Sequence, residues 1–447
     1  MTPDTRWPTG SVIYWFRHDL RLHDNPSLQR AIAVARQHRV PLQPVFVHDP
    51  GQLSDTPWGF MRQSPYRQAW WRMALDDLSS QLSTLGSCLM ECEGEPGATL
   101  AALAASSQAQ GIWCEAVAAP EEQDVERRIR QAGVSLHTHW QSSLLDSADL
   151  PFAPEQVPDV FTAFRQGVEQ AGVREASVAP TVTALPPAWP PTTGLEETLS
   201  ACRHPPTASS VPIDRRTSFP WHTPACHGGE RAALRHLQAY CANKLPHTYK
   251  ATRNALSDQR ASSKWSPWLA TGALSAREAM HTLRAFEAEH GANDGSYWLW
   301  FELLWRDHFR FLHHKFGQQL YRARGLLKGR VVTPHDPVAF RRWCLGQTGH
   351  ALIDAGMREL AATGLISNRL RQIVASYLIH DLACDWRAGA AWFESQLIDY
   401  DVYSNQGNWL YISGRGTDPR GGRRFNPDKQ AQDHDPDGRY RQRWAQP

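Results

Sequence analysis

Ser11-Val-Ile-Tyr-Trp-Phe16, Gln43-Pro-Val-Phe-Val47, Cys88-Leu-Met-Glu-Cys92 and Gly111-Ile-Trp-Cys-Glu-Ala-Val117 are four short apolar runs. Between them, helical periodicity covers residues 26–38, 64–85, 97–109 and 121–132. Strands alternating with helices at this spacing predict βαβ units, with a parallel sheet covered on both faces. The fold class expected over residues 10–140 is therefore α/β, a doubly wound parallel sheet. No Gly-x-Gly-x-x-Gly follows the first run, so nothing signals a dinucleotide in the usual crevice.

Working outward, residues 150–225 hold 13 of the chain's 31 prolines, including Pro186-Pro187, Pro190-Pro191 and Pro205-Pro206. Proline fixes φ and removes a backbone donor, so residues 141–227 are expected to be an extended connector that wraps a surface. From 228 to 447 strand signals vanish. Helical periodicity over 229–243, 266–290, 294–316, 336–345, 350–363, 367–383 and 388–398 predicts an all-α C-terminal domain.

Composition narrows the class. The 447 residues are 41% hydrophobic and 21% charged, which excludes disorder and collagen-like repeats. Mean hydropathy is −0.50, and no apolar run approaches the roughly 18 residues of a membrane span. Met1–Pro8 lacks the basic-then-apolar pattern of a secretory signal. Eight cysteines without a Cys-x-x-Cys pair read as reduced thiols, so a cytoplasmic chain without a bound metal is expected. The net charge of +2 conceals an asymmetry: residues 1–225 carry 17 Lys+Arg against 24 Asp+Glu, and residues 226–447 carry 30 against 21. An anionic partner is expected on the basic second half. The 19 tryptophans are several times ordinary usage.

Five segments carry chemistry. On a helix through Glu302-Leu-Leu-Trp305-Arg306-Asp307-His-Phe309-Arg310, the residues Glu302, Trp305, Arg306, Phe309 and Arg310 share a face. That stripe suits a pocket wall, or equally an interhelical salt bridge with packed aromatics. Asn368-Arg-Leu-Arg371-Gln372 follows a helix ending at Thr363-Gly364. Asn368 can cap the next helix, and Arg369 and Arg371 point to different sides of it. Asp399-Tyr-Asp401-Val-Tyr-Ser-Asn405-Gln-Gly-Asn408-Trp409 reads as a loop that can hydrogen-bond a polyol or a ring N–H, or as a plain Asp/Asn-rich turn. Ser262-Ser-Lys264-Trp-Ser266-Pro267 sets hydroxyls and a cation before a helix, which suits a pyrophosphate and also an ordinary cap. Arg420-Gly-Gly-Arg-Arg424-Phe-Asn-Pro427 is a flexible cationic run that can track phosphates or face solvent.

Together with Tyr14-Trp-Phe-Arg-His-Asp-Leu-Arg-Leu-His-Asp-Asn25 and Tyr249-Lys-Ala-Thr-Arg-Asn254, the order and spacing of these segments resemble the photolyase/cryptochrome family. Within that family they resemble the DASH-type cryptochromes. The resemblance spans Ser262–Ser275, Thr348–Trp386 and Asp399–Pro427 as well, and so nearly the whole chain except the connector.

The resemblance implies FAD held within the helical domain. Tyr249, Ser262, Ser263, Lys264, Trp265 and Ser266 would hold its phosphate side. Arg306, Asn368, Arg371, Asp399, Asp401 and Asn405 would surround its rings. It also implies light-driven electron transfer to a cyclobutane pyrimidine dimer, with Glu302 and Asn368 bonding the dimer and Trp305 walling it. Arg253, Arg369 and Arg423 match positions that meet DNA phosphates. Gln372 and Tyr411 stand where double-strand-specific photolyases place methionine and tryptophan. Such walls grip a flipped dimer less, which favours single-stranded DNA, where unstacking costs less. Trp409 and Trp386 match the first two members of the family's electron relay. The third falls near Thr333, where there is no indole, and Trp343 is expected to be core packing. An antenna chromophore, methenyltetrahydrofolate, is implied near Glu121 and Glu122, acids that also suit the first turn of a helix.

Two functions compete: a repair enzyme acting as a monomer on DNA, and a blue-light photoreceptor that signals through a partner. The short stretch after Asn426-Pro427 speaks against a signalling tail, and Glu302, Asn368 and Asn405 speak for repair. An iron–sulfur relative would need four cysteine ligands, and Cys226, Cys241, Cys344 and Cys384 lack the placement.

Overall fold

The computed structural model describes residues 10–187 and 211–446. Pro190-Pro191, Pro205-Pro206 and Met1–Pro8 lie outside the described residues. Five strands form one sheet: β1 Ser11–Trp15, β2 Leu42–His48, β3 Met90–Glu93, β4 Ala109–Glu115 and β5 Leu136–His139. Their order is β3-β2-β1-β4-β5 and every pairing is parallel, with Val12 opposite Leu42 and Ile112 opposite Leu136. The four helices between them are α1 Pro26–His38, α2 Pro65–Thr84, α3 Pro96–Ser106 and α4 Pro120–Gln131. Each opens on a proline, where the missing N–H costs nothing and φ is already helical. β1 is buried along its whole length. Val12, Tyr14 and Phe16 pack towards α1 and α2, while Ile13 and Trp15 pack towards α3 and α4, which is why the strand reads as one continuous apolar run.

β5 was not among the expected strands. At the sheet edge, Leu136-His-Thr-His139 needs no apolar run. The stretch expected to be an extended connector contains a helix, Phe161–Ala171, whose Phe161, Phe164 and Val168 are buried. Phe219 and Trp221 join the same core as Trp70 and Trp268. The aromatic residues between the prolines decide this, because each buries a large apolar surface.

The second half is helical, as the periodicity indicated, with two differences. Residues 266–290 form two helices, Ser266–Thr271 and Ala276–His290. Gly272 separates them at φ +70°, where a Cβ would stand 1.8 Å from the His18 carbonyl oxygen. This close approach docks the helical half on the end of β1, with Leu20 N–H donating to the Thr271 carbonyl at 3.1 Å and Arg21 Nη1 to that of Gly272 at 2.9 Å. The expected loop at Asp399–Trp409 is largely a helix, Val402–Ser413, which Asp401 caps by accepting from Ser404 N–H at 2.7 Å. An Asp/Asn-rich string serves a cap as readily as a turn. Among the described residues, no helix is long and apolar enough to cross a membrane.

Candidate functional site

Three helices meet around a cavity of about 70 Å³: Asn368–His380, Val402–Ser413 and, through Phe393, Trp386–Gln396. Asn368, Arg371 and Gln372 line it from one side, and Asp399, Asp401, Asn405 and Trp409 from the other. Arg371 Nη2 bridges both oxygens of Asp399, at 3.0 and 2.8 Å, and the Asp399 side chain is 1% exposed. Asp401 pairs with Arg310 at 2.6 Å. Burial alone would raise its carboxyl, but Arg310 and Arg306 hold it well below the usual carboxylate range. Asn405 donates its amide N–H to the Ala390 carbonyl at 3.0 Å, which fixes the amide plane. Arg306 turns from the cavity to the carbonyls of Ser142 (2.5 Å) and Leu269 (3.5 Å), and burial lowers its guanidinium to about 10.

The Ser262–Ser266 segment precedes the short helix at Ser266. Lys264 sits in left-handed backbone at φ +56°, and burial lowers its ammonium to about 8 despite Glu359 and Asp258 nearby. Two buried polar atoms of this region, Trp265 Nε1 and Glu359 Oε1, have no hydrogen-bond partner. Ser266 is exposed and Tyr249 is buried. Hydroxyls, a desolvated cation and unpaired polar atoms on one side, with fixed ions and amides on the other, fit FAD. Its phosphates would meet Ser262–Ser266 and its ring system Arg371, Asp399 and Asn405.

In a separate cavity of about 130 Å³, Trp305 and Tyr411 form a corner, with ring centroids 5.8 Å apart and planes at 78°. Trp305 is backed by Phe161, stacked at 3.8 Å. Sequence reasoning missed Phe161 because proline content masked its helix. Glu302 bonds Arg253, whose guanidinium lies 5.1 Å over Trp298. Burial pushes the Glu302 carboxyl up, and Arg253 opposes this only in part. The arginines matched to DNA contacts also have internal partners. Arg369 donates to Asn254 Oδ1 at 3.0 Å, while Arg371 points the other way, to Asp399. Arg423 pairs with Asp418 at 2.7 Å, bonds the Tyr411 hydroxyl and lies 4.8 Å over the Tyr411 ring.

A larger cavity, about 560 Å³, opens outside the carboxyl ends of β1, β2 and β4. Ligands of open α/β sheets bind there, where the strand order reverses. Glu121 and Glu122 both line it from the first turn of α4. Glu121 pairs with Arg62 at 2.5 Å, and burial raises the Glu122 carboxyl. Phe46, Arg67 and Trp71 complete the wall. Sequence reasoning missed these three, although the sheet order alone marks the position. Trp386 faces this cavity and donates Nε1–H to the Ala323 carbonyl at 3.0 Å. Trp343 is fully buried and donates to the Val374 carbonyl at 3.0 Å.

A family model described as DNA photolyase matches residues 12–187, and one described as the FAD binding domain of DNA photolyase matches residues 298–446. The chain is 40% identical over 440 residues to Cryptochrome DASH of Synechocystis, covering 97% of this chain and 87% of the relative. It is 40% identical over 447 residues to Cryptochrome DASH of Xenopus laevis, covering 98% and 83%. The crystal structure of the Synechocystis cryptochrome superposes with a TM-score of 0.91 at 38% identity, over 98% of this chain and 89% of that one. A class III photolyase from Agrobacterium tumefaciens superposes at 0.76 with 26% identity, over 99% and 88%. With its parallel sheet, its helical FAD-binding half and these relatives, the chain belongs to the photolyase/cryptochrome family, among the cryptochromes of the DASH type.

Proposed function

We propose that this protein is a light-dependent lyase that splits cyclobutane pyrimidine dimers, mainly in single-stranded DNA. The observation that carries the reading is Glu302, a carboxyl raised by burial and one helical turn before Trp305. The Trp305 ring forms a corner with Tyr411 of the helix that also walls the flavin cavity. A carboxyl that keeps its proton donates a hydrogen bond to a pyrimidine carbonyl. Charge arriving on the dimer strengthens that bond. Trp305, braced by Phe161, offers a rigid face for stacking, and Asn368 and Gln372 supply amides in the flavin-side cavity. FAD, when bound and reduced, supplies the electron that light drives onto the dimer. The Arg371–Asp399 pair orients the ring system, and the neutral amide of Asn405 brings no acidic proton to it.

Arg253, Arg369 and Arg423 then exchange internal partners for DNA phosphates, in keeping with the basic second half. Tyr411 and Gln372 present modest polar walls, which favours a substrate that is already unstacked. Methenyltetrahydrofolate is the second chromophore in this reading. Glu121 and Glu122 would accept from its pterin, and Phe46 and Trp71 would cover its rings.

The test is blue-light repair of a thymine dimer in a single-stranded oligonucleotide and in the matching duplex, using chemically reduced, FAD-loaded protein. Single-strand repair that Glu302→Ala diminishes supports the proposal. Absence of repair on both substrates overturns it and leaves photoreception as the reading.

A further inference from the structure

Glu359 belongs to the helix Ala351–Thr363 and is 0% exposed. Its Oε2 accepts from the Tyr440 hydroxyl at 2.5 Å, while Oε1 has no partner. Lys264 of the phosphate-side segment is near enough for its charge to act on the Glu359 carboxyl, as are Arg443 and Asp214. Among the described residues, Lys264 Nζ makes no hydrogen bond and no ion pair. A buried acid and a cation without a partner thus stand side by side next to Ser262–Ser266.

Tyr440 is held so that it can orient that acid. Asp435 accepts from the Tyr440 and Arg441 N–H groups at 2.9 and 3.1 Å. Arg358, the residue before Glu359, donates to the Trp444 and Ala445 carbonyls at 3.2 and 2.8 Å. Trp444 is fully buried, with the Arg216 guanidinium 4.1 Å over its ring. Arg443 donates to Ser257 Oγ at 3.2 Å, in the loop that leads to Ser262. The backbone of the phosphate-side segment is fixed separately. His236 Nε2 bonds the Ser263 carbonyl at 2.8 Å, and Lys264 N–H donates to Ser262 Oγ at 3.3 Å. Only the Lys264 side chain is left to be placed by what surrounds it.

Burial pushes the Glu359 carboxyl up to about 8, so it keeps a proton at neutral pH. Tyr440 donates to Oε2, which leaves Oε1 to carry that proton. Lys264 then faces an O–H group and not a second anion. A carboxylate in that place would draw the ammonium away from a diphosphate and repel the diphosphate itself.

We infer that Glu359, oriented by Tyr440, is a positioning residue for FAD that acts through Lys264 and leaves its ammonium free for the diphosphate. No bond to the flavin is asked of Glu359 itself. The inference rests on FAD binding at Ser262–Ser266 and is independent of dimer repair.

The test uses the full chain stripped of flavin and titrated with FAD at neutral pH, read by flavin fluorescence. The melting temperature of each flavin-free variant is measured alongside. Tyr440→Phe and Glu359→Ala are expected to weaken FAD binding roughly tenfold. Glu359→Gln, which still accepts from Tyr440 and donates from its other side, is expected to stay within about twofold of the parent. In a Lys264→Met background, Glu359→Ala should add no further loss, a result that a merely structural role does not give. FAD should also slow amide exchange in residues 440–445, because the coupling is reciprocal. If Glu359→Ala does not fold, Tyr440→Phe, which deletes a single oxygen, takes its place in both backgrounds. Glu359→Gln losing as much affinity as Glu359→Ala overturns the inference, as does a full extra loss in the Lys264→Met background. Tyr440→Phe melting lower yet binding FAD like the parent overturns it too. Failure of the parent to take up FAD sinks the cofactor reading beneath the inference, whereas unchanged affinity in the variants sinks the inference alone.

Discussion

Replacing Gly272 by alanine isolates the joint between the two halves. The new Cβ would stand 1.8 Å from the His18 carbonyl oxygen and 2.6 Å from Asp19 Cα, both main-chain atoms that cannot swing aside. A left-handed φ costs a β-carbon roughly 1–2 kcal/mol. Moving packed main chain costs about 1–3 kcal/mol more. The two main-chain-directed bonds at the joint, from Leu20 and Arg21, contribute about 1 kcal/mol each if they stretch. With both bonds stretched, a total loss of about 4–7 kcal/mol is expected. Gly172 is the control: it ends the helix Phe161–Ala171 in the same left-handed region, at φ +64°, and nothing lies within 4 Å of its missing Cβ, so Gly172→Ala should lose only about 1–2 kcal/mol. Thermal melts by circular dichroism of the loaded protein read both, with flavin fluorescence reporting FAD release. Since the Ser262–Ser266 segment lies just before Gly272 in the chain, FAD should leave Gly272→Ala at the lower temperature. Equal melting temperatures for the two variants would refute the docking argument, because backbone strain alone would then explain both.

Asp399→Asn leaves Arg371 without its ionic partner. With Arg371 partly exposed, a cost of about 1–3 kcal/mol is expected, read as weaker FAD retention in dialysis with the fold intact by circular dichroism. Glu302 has its carboxyl raised in the folded state, so its hydrogen-donating form persists above the ordinary carboxylate range and is lost as pH rises through the raised value. Single-strand repair should therefore fall with rising pH, and Glu302→Gln, which donates at every pH, should flatten that profile. On the proposed antenna reading, the protein copurifies with a folate that Glu122→Ala should reduce, measured by absorbance of the released chromophore, while FAD content stays constant.

Much of the architecture could be read from local pattern. β1 and its neighbours stand out because a strand buried on both faces is apolar at every position, and each following helix begins with proline. β5 escaped because an edge strand can be built from Leu136, His137, Thr138 and His139. The helix at Phe161 escaped because surrounding prolines outweighed its spacing of buried positions. At the site, the stripe from Glu302 to Arg310 was legible as a helical face, yet its members part company. Glu302 pairs with Arg253, whereas Arg306 and Arg310 turn to Ser142 and Asp401. The large cavity was least legible, since Phe46, Arg67, Trp71, Glu122 and Asn405 come from four separate segments that only the folded chain assembles.

Tyr400 and Asn405 line both the small and the large cavity. The two compartments therefore share a wall one side chain thick, in which Asn405 is held by its hydrogen bond to Ala390 and Tyr400 by the Arg67 guanidinium 4.5 Å over its ring. A molecule lodged in either compartment that tightens or loosens this bond alters the affinity of the other compartment by the same factor, because linkage is reciprocal. Occupancy of one chamber is in this way a thermodynamic variable of its neighbour, and titrating FAD in the presence and absence of a ligand of the large cavity measures the coupling between them.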